Sequence, residues 1–182
     1  MRALVFASVL AAGVLLPAAA RAEDDFALIP IVRVSGGADF TVAPDAAKSI
    51  EGTAAVGAGV DLLFAKSPVF VVAPEAGYTY DAGGGGAHLF DIACGLGVGD
   101  VLAYVAYRPH FLVGGGGDGG GVAIGTRQGI ALHALFDIFS LEAGYQLMSR
   151  EGEARHSVYL ITGVNPAAAL QAILGLAFAS AR

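Results

Sequence analysis

Large apolar residues alternate with small or polar residues along most of this chain, and a spacing of two predicts β-strands. From Val69 to Tyr80, one face carries Phe, Val, Ala and Tyr, and the other carries Glu75 among small residues. The same division recurs in eight segments, at 26–36, 51–65, 69–81, 86–98, 101–114, 121–136, 139–150 and 155–165. The pattern predicts an all-β fold of about eight antiparallel strands.

The polar face of these segments consists mostly of Gly and Ala, with isolated charges. Small residues fit the crowded inside of a narrow barrel. Apolar side chains outward and polar side chains inward, over strands of about 10 residues, are typical of a transmembrane barrel. We therefore predict an up-and-down transmembrane β-barrel with a narrow lumen. The polar side chains expected to line it are Arg33, Asp61, Glu75, Asp91, Arg108, His110, Arg127, His133 and Glu142.

The N-terminal segment 1–22 has the features of a cleaved secretory signal peptide. Arg2 precedes an apolar run, and the segment ends in the small-x-small sequence Ala20–Ala22. The run is shorter than the about 20 residues that a spanning helix needs. We expect the mature chain to begin after Ala22, with the barrel in 23–165.

The C-terminal tail, 166–182, fits two structures. Asn165 and Pro166 favour the start of a short helix through Leu174, because Asn caps helices well and Pro suits their first position. The residues from Leu174 to Phe178 also alternate between large and small, which fits an extra strand. Both structures remain open.

The composition is unusual for a soluble domain. Charged residues make up only 14% of the chain and apolar residues 55%, whereas soluble domains carry about 25% charged residues. The net charge of −6 disfavours a nucleic-acid partner. Cys94 is the only cysteine, so an internal disulfide and a thiolate metal site are excluded.

The glycine run GGGGDGGG, 114–121, invites three functional interpretations. Its Gly-x-Gly-x-x-Gly spacing resembles a dinucleotide loop, but the residues from Val122 onward alternate as a strand, where a helix should follow. A phosphate loop needs Gly-Lys-Ser/Thr, which is absent, and the calcium repeat would need tandem copies. We predict a loop tip and expect no cofactor and no metal ion.

Rough strand pairing gives two expectations about the lumen. Asp91 should lie opposite Arg108, with Glu75 near Asp91 and Arg127 near Arg108, because buried charges need partners. In a second group, His133 should lie opposite Glu142, with Ser140 one step along. Ser, His and a carboxylate suggest a hydrolase.

We favour a hydrogen-bonded histidine over a hydrolase site. The side chains of the Ser, His and Glu group should point inward, and no G-x-S-x-G sequence occurs. Four tyrosines are candidates for interfacial aromatic girdles, although ordinary lipid-facing positions fit them as well. They are Tyr78, Tyr80, Tyr107 and Tyr145. Cys94 should face lipid.

The chain resembles the small eight-stranded outer-membrane barrels, namely the OmpA-type transmembrane domain and its OmpX- and OmpW-like relatives. The resemblance covers about 26–165 and rests on the signal peptide, strand count, alternation, loop asymmetry and charged lumen. It implies residence in a Gram-negative outer membrane, insertion by the barrel assembly machinery and contact with outer-membrane lipids, as a monomer. Members usually end in an aromatic residue, whereas Phe178 lies four residues from the end of this chain.

The favoured function is a structural role in the cell envelope, without enzymatic activity. The alternatives are a small porin-like channel or transporter, a lipid-modifying enzyme, and a soluble barrel that binds an apolar ligand. Side chains can fill the interior of an eight-stranded barrel, so free diffusion is not expected. The soluble barrel would need the reverse placement of charges.

Overall fold

Eight antiparallel strands close into an up-and-down barrel, which confirms the predicted fold class. The computed structural model describes residues 26–42, 49–64, 68–82, 86–100, 102–116, 120–150 and 152–180. The predicted signal peptide lies outside these residues. The elements are β1 (Phe26–Thr41), β2 (Ile50–Phe64), β3 (Val69–Asp81), β4 (Ala87–Gly99), β5 (Ala103–Gly115), β6 (Val122–Ala134), β7 (Phe139–Arg150), β8 (Glu153–Val164) and the helix α1 (Pro166–Ser180). Each strand pairs with the next, and β8 pairs with β1.

Strand β1 is longer than predicted. It continues to Thr41, where the sequence pattern predicted a loop from 37. Gly36 and Gly37 blur the alternation, but Asp39 then faces inward and Phe40 outward, so the period of two resumes. The longer strand leaves a shorter connection to β2.

The tail and the glycine run also differ from expectation. The extra strand is wrong, since α1 begins at Pro166 and extends beyond Leu174 to Ser180. The glycine run is only partly a loop tip, because Gly114 and Gly115 belong to β5. Among the described residues, no helix is both long and apolar enough to cross a membrane.

The strand register staggers the barrel by ten residues. A path along paired residues leaves β1 at Ile31 and returns to it at Thr41, ten residues further on. The path runs Ile31, Gly59, Glu75, Ala93, His110, Arg127, Gln146, Ser157, Thr41. Spread over eight strands, each step climbs about 1.25 residues, which corresponds to a strand tilt of about 40°. We call the end where β1 begins and β8 ends the lower end.

The two faces of the wall differ in charge. Every Asp, Glu, Lys and Arg within β1–β8 occupies an inward position, and the outward positions of these strands carry none. Large apolar side chains on the outward face are exposed, such as Ile92 (49%) and Leu96 (55%). We call this outward surface the apolar belt.

Candidate functional site

Four charged side chains meet at mid-height in the lumen and form a chain of ion pairs, here called the lumen network. Its members are Arg33, Glu75, Arg108 and Glu142, from β1, β3, β5 and β7. Glu75 Oε2 accepts from Arg33 Nη1 at 2.6 Å and from Arg108 Nη2 at 2.7 Å. Arg108 Nη1 donates to Glu142 Oε2 at 2.9 Å. The stagger brings alternate strands to nearly the same height, which explains why these four residues meet.

Inward glycines make the space that these long side chains occupy. A Cβ at Gly57 would collide with Oε1 of Glu75. A Cβ at Gly129 would collide with the hydroxyl of Tyr159 and would lie 3.0 Å from Oε1 of Glu142. The small residues of the polar face are therefore part of the charged site.

A histidine joins the upper side of the lumen network. His110 Nδ1 lies 3.0 Å from Asp91 Oδ1, and its Nε2 lies 3.2 Å from Glu142 Oε1. Thr79 Oγ1 donates to Asp91 at 3.1 Å, and Tyr159 donates to Glu142 at 2.6 Å. Two carboxylates thus share one imidazole, and hydroxyl donors hold each of them.

The turn between β6 and β7 closes the lower end. Leu135, Phe136 and Asp137 have φ of 54°, 60° and 64°, a left-handed conformation that costs about 1–2 kcal/mol per non-glycine residue. The turn directs Asp137 into the lumen, where Arg33 Nη2 donates to it at 2.9 Å and His133 Nδ1 donates as well. Burial alone would raise the pKa of Asp137, but the bonds from His133 and the charge of Arg33 lower it to about 2. These contacts offset the strain of the turn.

Apolar side chains fill the rest of the lower lumen. The buried cluster consists of Ile31, Leu63, Val71, Ala73, Tyr104 and Ala106. The Tyr104 ring stacks on His133 with centroids 4.4 Å apart, and its hydroxyl donates to Asp61 at 3.2 Å. This packing closes the lumen beneath the lumen network.

A second polar group lies in the upper lumen. Arg127 Nε donates to Gln146 at 2.8 Å, and Gln146 Nε2 donates to Asp81 at 2.9 Å. The Arg127 guanidinium also lies 4.8 Å from the centre of the Tyr159 ring. Neither carboxylate oxygen of the buried Asp39 has a hydrogen-bond partner among the described residues.

The lumen network borders a small cavity. A cavity of about 30 Å³ lies among Arg33, Glu75, Asp91, Arg108 and Glu142. A water needs roughly 10–15 Å³ by this measure, so the cavity has room for about two. Below this cavity, the buried apolar cluster occupies the lumen.

All nine residues predicted to line the lumen lie on the inward face, but the predicted pairing of Asp91 with Arg108 is wrong. Asp91 lies opposite Leu112 and bonds to His110, whereas Arg108 bonds to Glu75 and Glu142. The observed register of β4 against β5 differs from the expected one by four residues, because Leu112 takes the place expected for Arg108.

The serine, histidine and glutamate do not assemble as expected. His133 lies opposite Ser140, and Glu142 lies opposite Ala131, one step away. The Nδ1 of His133 bonds to Asp137. The predicted pairing of His133 with Glu142 is therefore wrong.

Sequence reasoning missed several buried polar residues. Asp39 lies in the part of β1 that extends beyond the predicted end of the strand at 36. Asp81 is the last residue of β3, next to a loop. Asp137 lies in a turn, three residues after the end of β6, where the strand alternation no longer indicates which way a side chain points. Tyr104 and Tyr159 fall on the inward face by alternation, and the structure confirms both positions.

The outer wall carries polar groups mainly near its upper end. Tyr78 bonds to His88, and Tyr145 bonds to His156. By the register, the two histidines lie within about one residue of the same height, on opposite sides of the barrel. Three of the four girdle candidates, including Tyr80, lie at or just below this level. Tyr107 lies lower and donates to Gln128 at 3.3 Å.

The comparisons with known proteins identify no relative. No family model, no curated protein and no solved structure matches this chain. No cluster of at least three His, Cys, Asp or Glu among the described residues could hold a metal ion. Proposals about function therefore rest on the barrel's own chemistry.

Proposed function

We propose that this protein is an integral β-barrel of a Gram-negative outer membrane, with a closed lumen and a structural role in the envelope. The observation that carries the proposal is the uncharged apolar belt. A bilayer penalises charge on the lipid face, by about 2–4 kcal/mol for Arg or Lys at the midplane. The wall of a soluble barrel has no such constraint.

The height of the belt supports the same proposal. From Phe70 near the lower end to His88 near the upper end, the outward face is predominantly apolar and carries no Asp, Glu, Lys or Arg. With the stagger included, His88 lies about 11 residues above Phe70, and each residue of a tilted strand adds about 2.5 Å. The resulting height of about 28 Å fits the about 25 Å apolar band of outer-membrane barrels.

The packed lumen favours a structural role over a channel. Ion pairs fill its middle, and apolar side chains fill its lower part. Breaking the lumen network would leave charges without partners, so opening would be costly. The inward charges also disfavour an apolar ligand inside. The predicted signal peptide supports export, and the resemblance to the outer-membrane class implies the barrel assembly machinery and lipids as partners.

Envelope fractionation combined with heat-modifiability on gels tests the proposal. We expect the protein in the outer-membrane fraction, with unheated and boiled samples migrating differently. A soluble protein with no shift would contradict membrane residence. Planar-bilayer recording of the purified barrel then tests the closed lumen, for which we expect no conductance steps. Steady conductance would favour the channel.

A further inference from the structure

Helix α1 consists almost entirely of apolar residues, with Gln171 and Ser180 as its polar ones. Its sequence, PAAALQAILGLAFAS, contains no charged residue. A helix of this kind is normally buried in a protein or in a membrane. Here the side chains of Leu170, Ile173 and Leu174 are 43%, 62% and 47% exposed.

The helix covers part of the apolar belt. Val32 points outward like Val34, yet it is only 4% exposed, whereas Val34 is 49% exposed. Pro30, the preceding outward residue, is also buried. Because α1 contacts β1, the helix accounts for this burial. Part of α1 therefore lies outside the barrel wall, at the height of the belt's lower region.

The helix begins where the barrel seam is incomplete. The ladder between β1 and β8 ends at the Val34–Val164 pair, so β1 below Val34 has no strand on that side. Asn165 Oδ1 accepts from the backbone N–H of Val32 at 3.2 Å and from that of Ala168, which caps α1. Backbone groups alternate along a strand, so Pro30 comes next on this edge, and it has no N–H.

Such an edge has a particular meaning in a bilayer. Open sheet edges do not occur in contact with hydrocarbon, because their polar groups would lack partners. Asn165 and Pro30 remove the two donors nearest the seam, and α1 packs over the apolar surface beside them. The seam between β1 and β8 therefore exposes few unpaired backbone donors, as contact with acyl chains requires.

We propose that the exposed face of α1 binds the acyl chains of the leaflet around the lower end, which makes the helix part of the lipid-facing wall. This inference rests on the proposed membrane function. The acyl chains are favoured over a second protein copy because the exposed large side chains Leu170, Ile173 and Leu174 are all apolar and the helix lies against the apolar belt.

Tryptophan quenching tests this assignment, because the natural sequence contains no Trp. Ile173→Trp, in the full chain, places a single fluorophore on the exposed face of α1. Phe90→Trp on the belt and Tyr104→Trp in the lumen are the references, and only heat-modifiable variants are compared. Each is reconstituted in vesicles of phosphatidylcholine with plain or brominated acyl chains.

We expect brominated lipid to reduce the Ile173→Trp emission by the same proportion as the Phe90→Trp emission, with Tyr104→Trp unchanged. Quenching of Phe90→Trp alone would overturn the assignment of α1 and leave the membrane barrel standing. Protection of Ile173→Trp together with a crosslinked dimer would assign the face to a second copy and overturn the proposal. Quenching of neither outer position would contradict the membrane function itself.

Discussion

The two faces of each strand contain opposite chemistry, although they alternate residue by residue along one chain. On β6, the inward Arg127 is 1% exposed, whereas the outward Ile130 is 55% exposed. A water-soluble protein normally buries the isoleucine and exposes the arginine. The inversion is understandable if the outer face meets hydrocarbon and the charges meet each other. Changes on the two faces should therefore have distinct consequences.

Removing one carboxylate from the lumen network should cost the most stability. Glu142→Ala leaves Arg108 with one partner fewer and removes the acceptor of Tyr159. Breaking a buried pair in this way costs about 3–5 kcal/mol of unfolding free energy. Urea unfolding in lipid vesicles, followed by unheated gel mobility, measures the loss. Glu153→Ala at the exposed upper rim is the control, and a loss no larger than that of the control would contradict a packed, ion-paired lumen.

A charge on the outer face should cost somewhat less. Ile130 lies near mid-height of the apolar belt by the register. Ile130→Arg should lower the unfolding free energy in vesicles by about 2–4 kcal/mol, as for Arg at a bilayer midplane. Ile130→Val keeps the position apolar and serves as the control. An unchanged or higher stability for Ile130→Arg would indicate that this face meets water.

The turn between β6 and β7 should make the unfolding free energy depend on pH. The pKa of Asp137 is lowered to about 2 from 3.8, so its ionised form contributes stability above pH about 4 that disappears as the pH falls through 2. At neutral pH, Asp137→Asn should cost about 2 kcal/mol relative to the natural protein.

This difference should shrink when unfolding is measured at successively lower pH from 5 to 2. A difference that stays constant over this range would show that the charge of Asp137 does not hold the turn. Ser140→Ala, an inward change in the same region that removes no charge, should give a pH-independent difference.

The ion pair at the upper rim should matter least. Arg155 pairs with Glu51, and their side chains are 22% and 25% exposed. Arg155→Gln should cost about 0.2–1 kcal/mol, since exposed pairs are weak. The cost should fall further at 1 M salt, where charges are screened within about 3 Å. A loss as large as that of Glu142→Ala would remove the distinction between rim and mid-lumen.

Alternation predicted the strands, and together with the small residues and isolated charges of the polar face it predicted the barrel. It also predicted which charges face inward. It did not predict their partners, since the ion pairs depend on a stagger of ten residues that joins β1, β3, β5 and β7 at one height. Arg108 illustrates this limit, because its partners Glu75 and Glu142 lie on strands that do not adjoin β5.

Turns and the tail were harder to predict for a different reason. Asp137 enters the lumen only because three consecutive residues take a left-handed conformation, which residue preferences disfavour. The tail contained helix and strand signals together, and Asn165 decided between them by capping α1 and bonding to β1. Such long-range contacts are not encoded in a local pattern.

The natural cysteine offers the most direct test of the central claim that the outer face meets lipid. Cys94 lies exposed on the outward face of β4, near mid-height of the apolar belt. A charged, membrane-impermeant maleimide should fail to label it in intact envelopes and should label it fully after boiling in detergent. As a control, Leu102→Cys is introduced in a Cys94→Ala background, between β4 and β5 at the lower end of the barrel. This cysteine should be labelled in opened envelopes without boiling. Rapid labelling of Cys94 in the folded, unheated protein would contradict the membrane assignment.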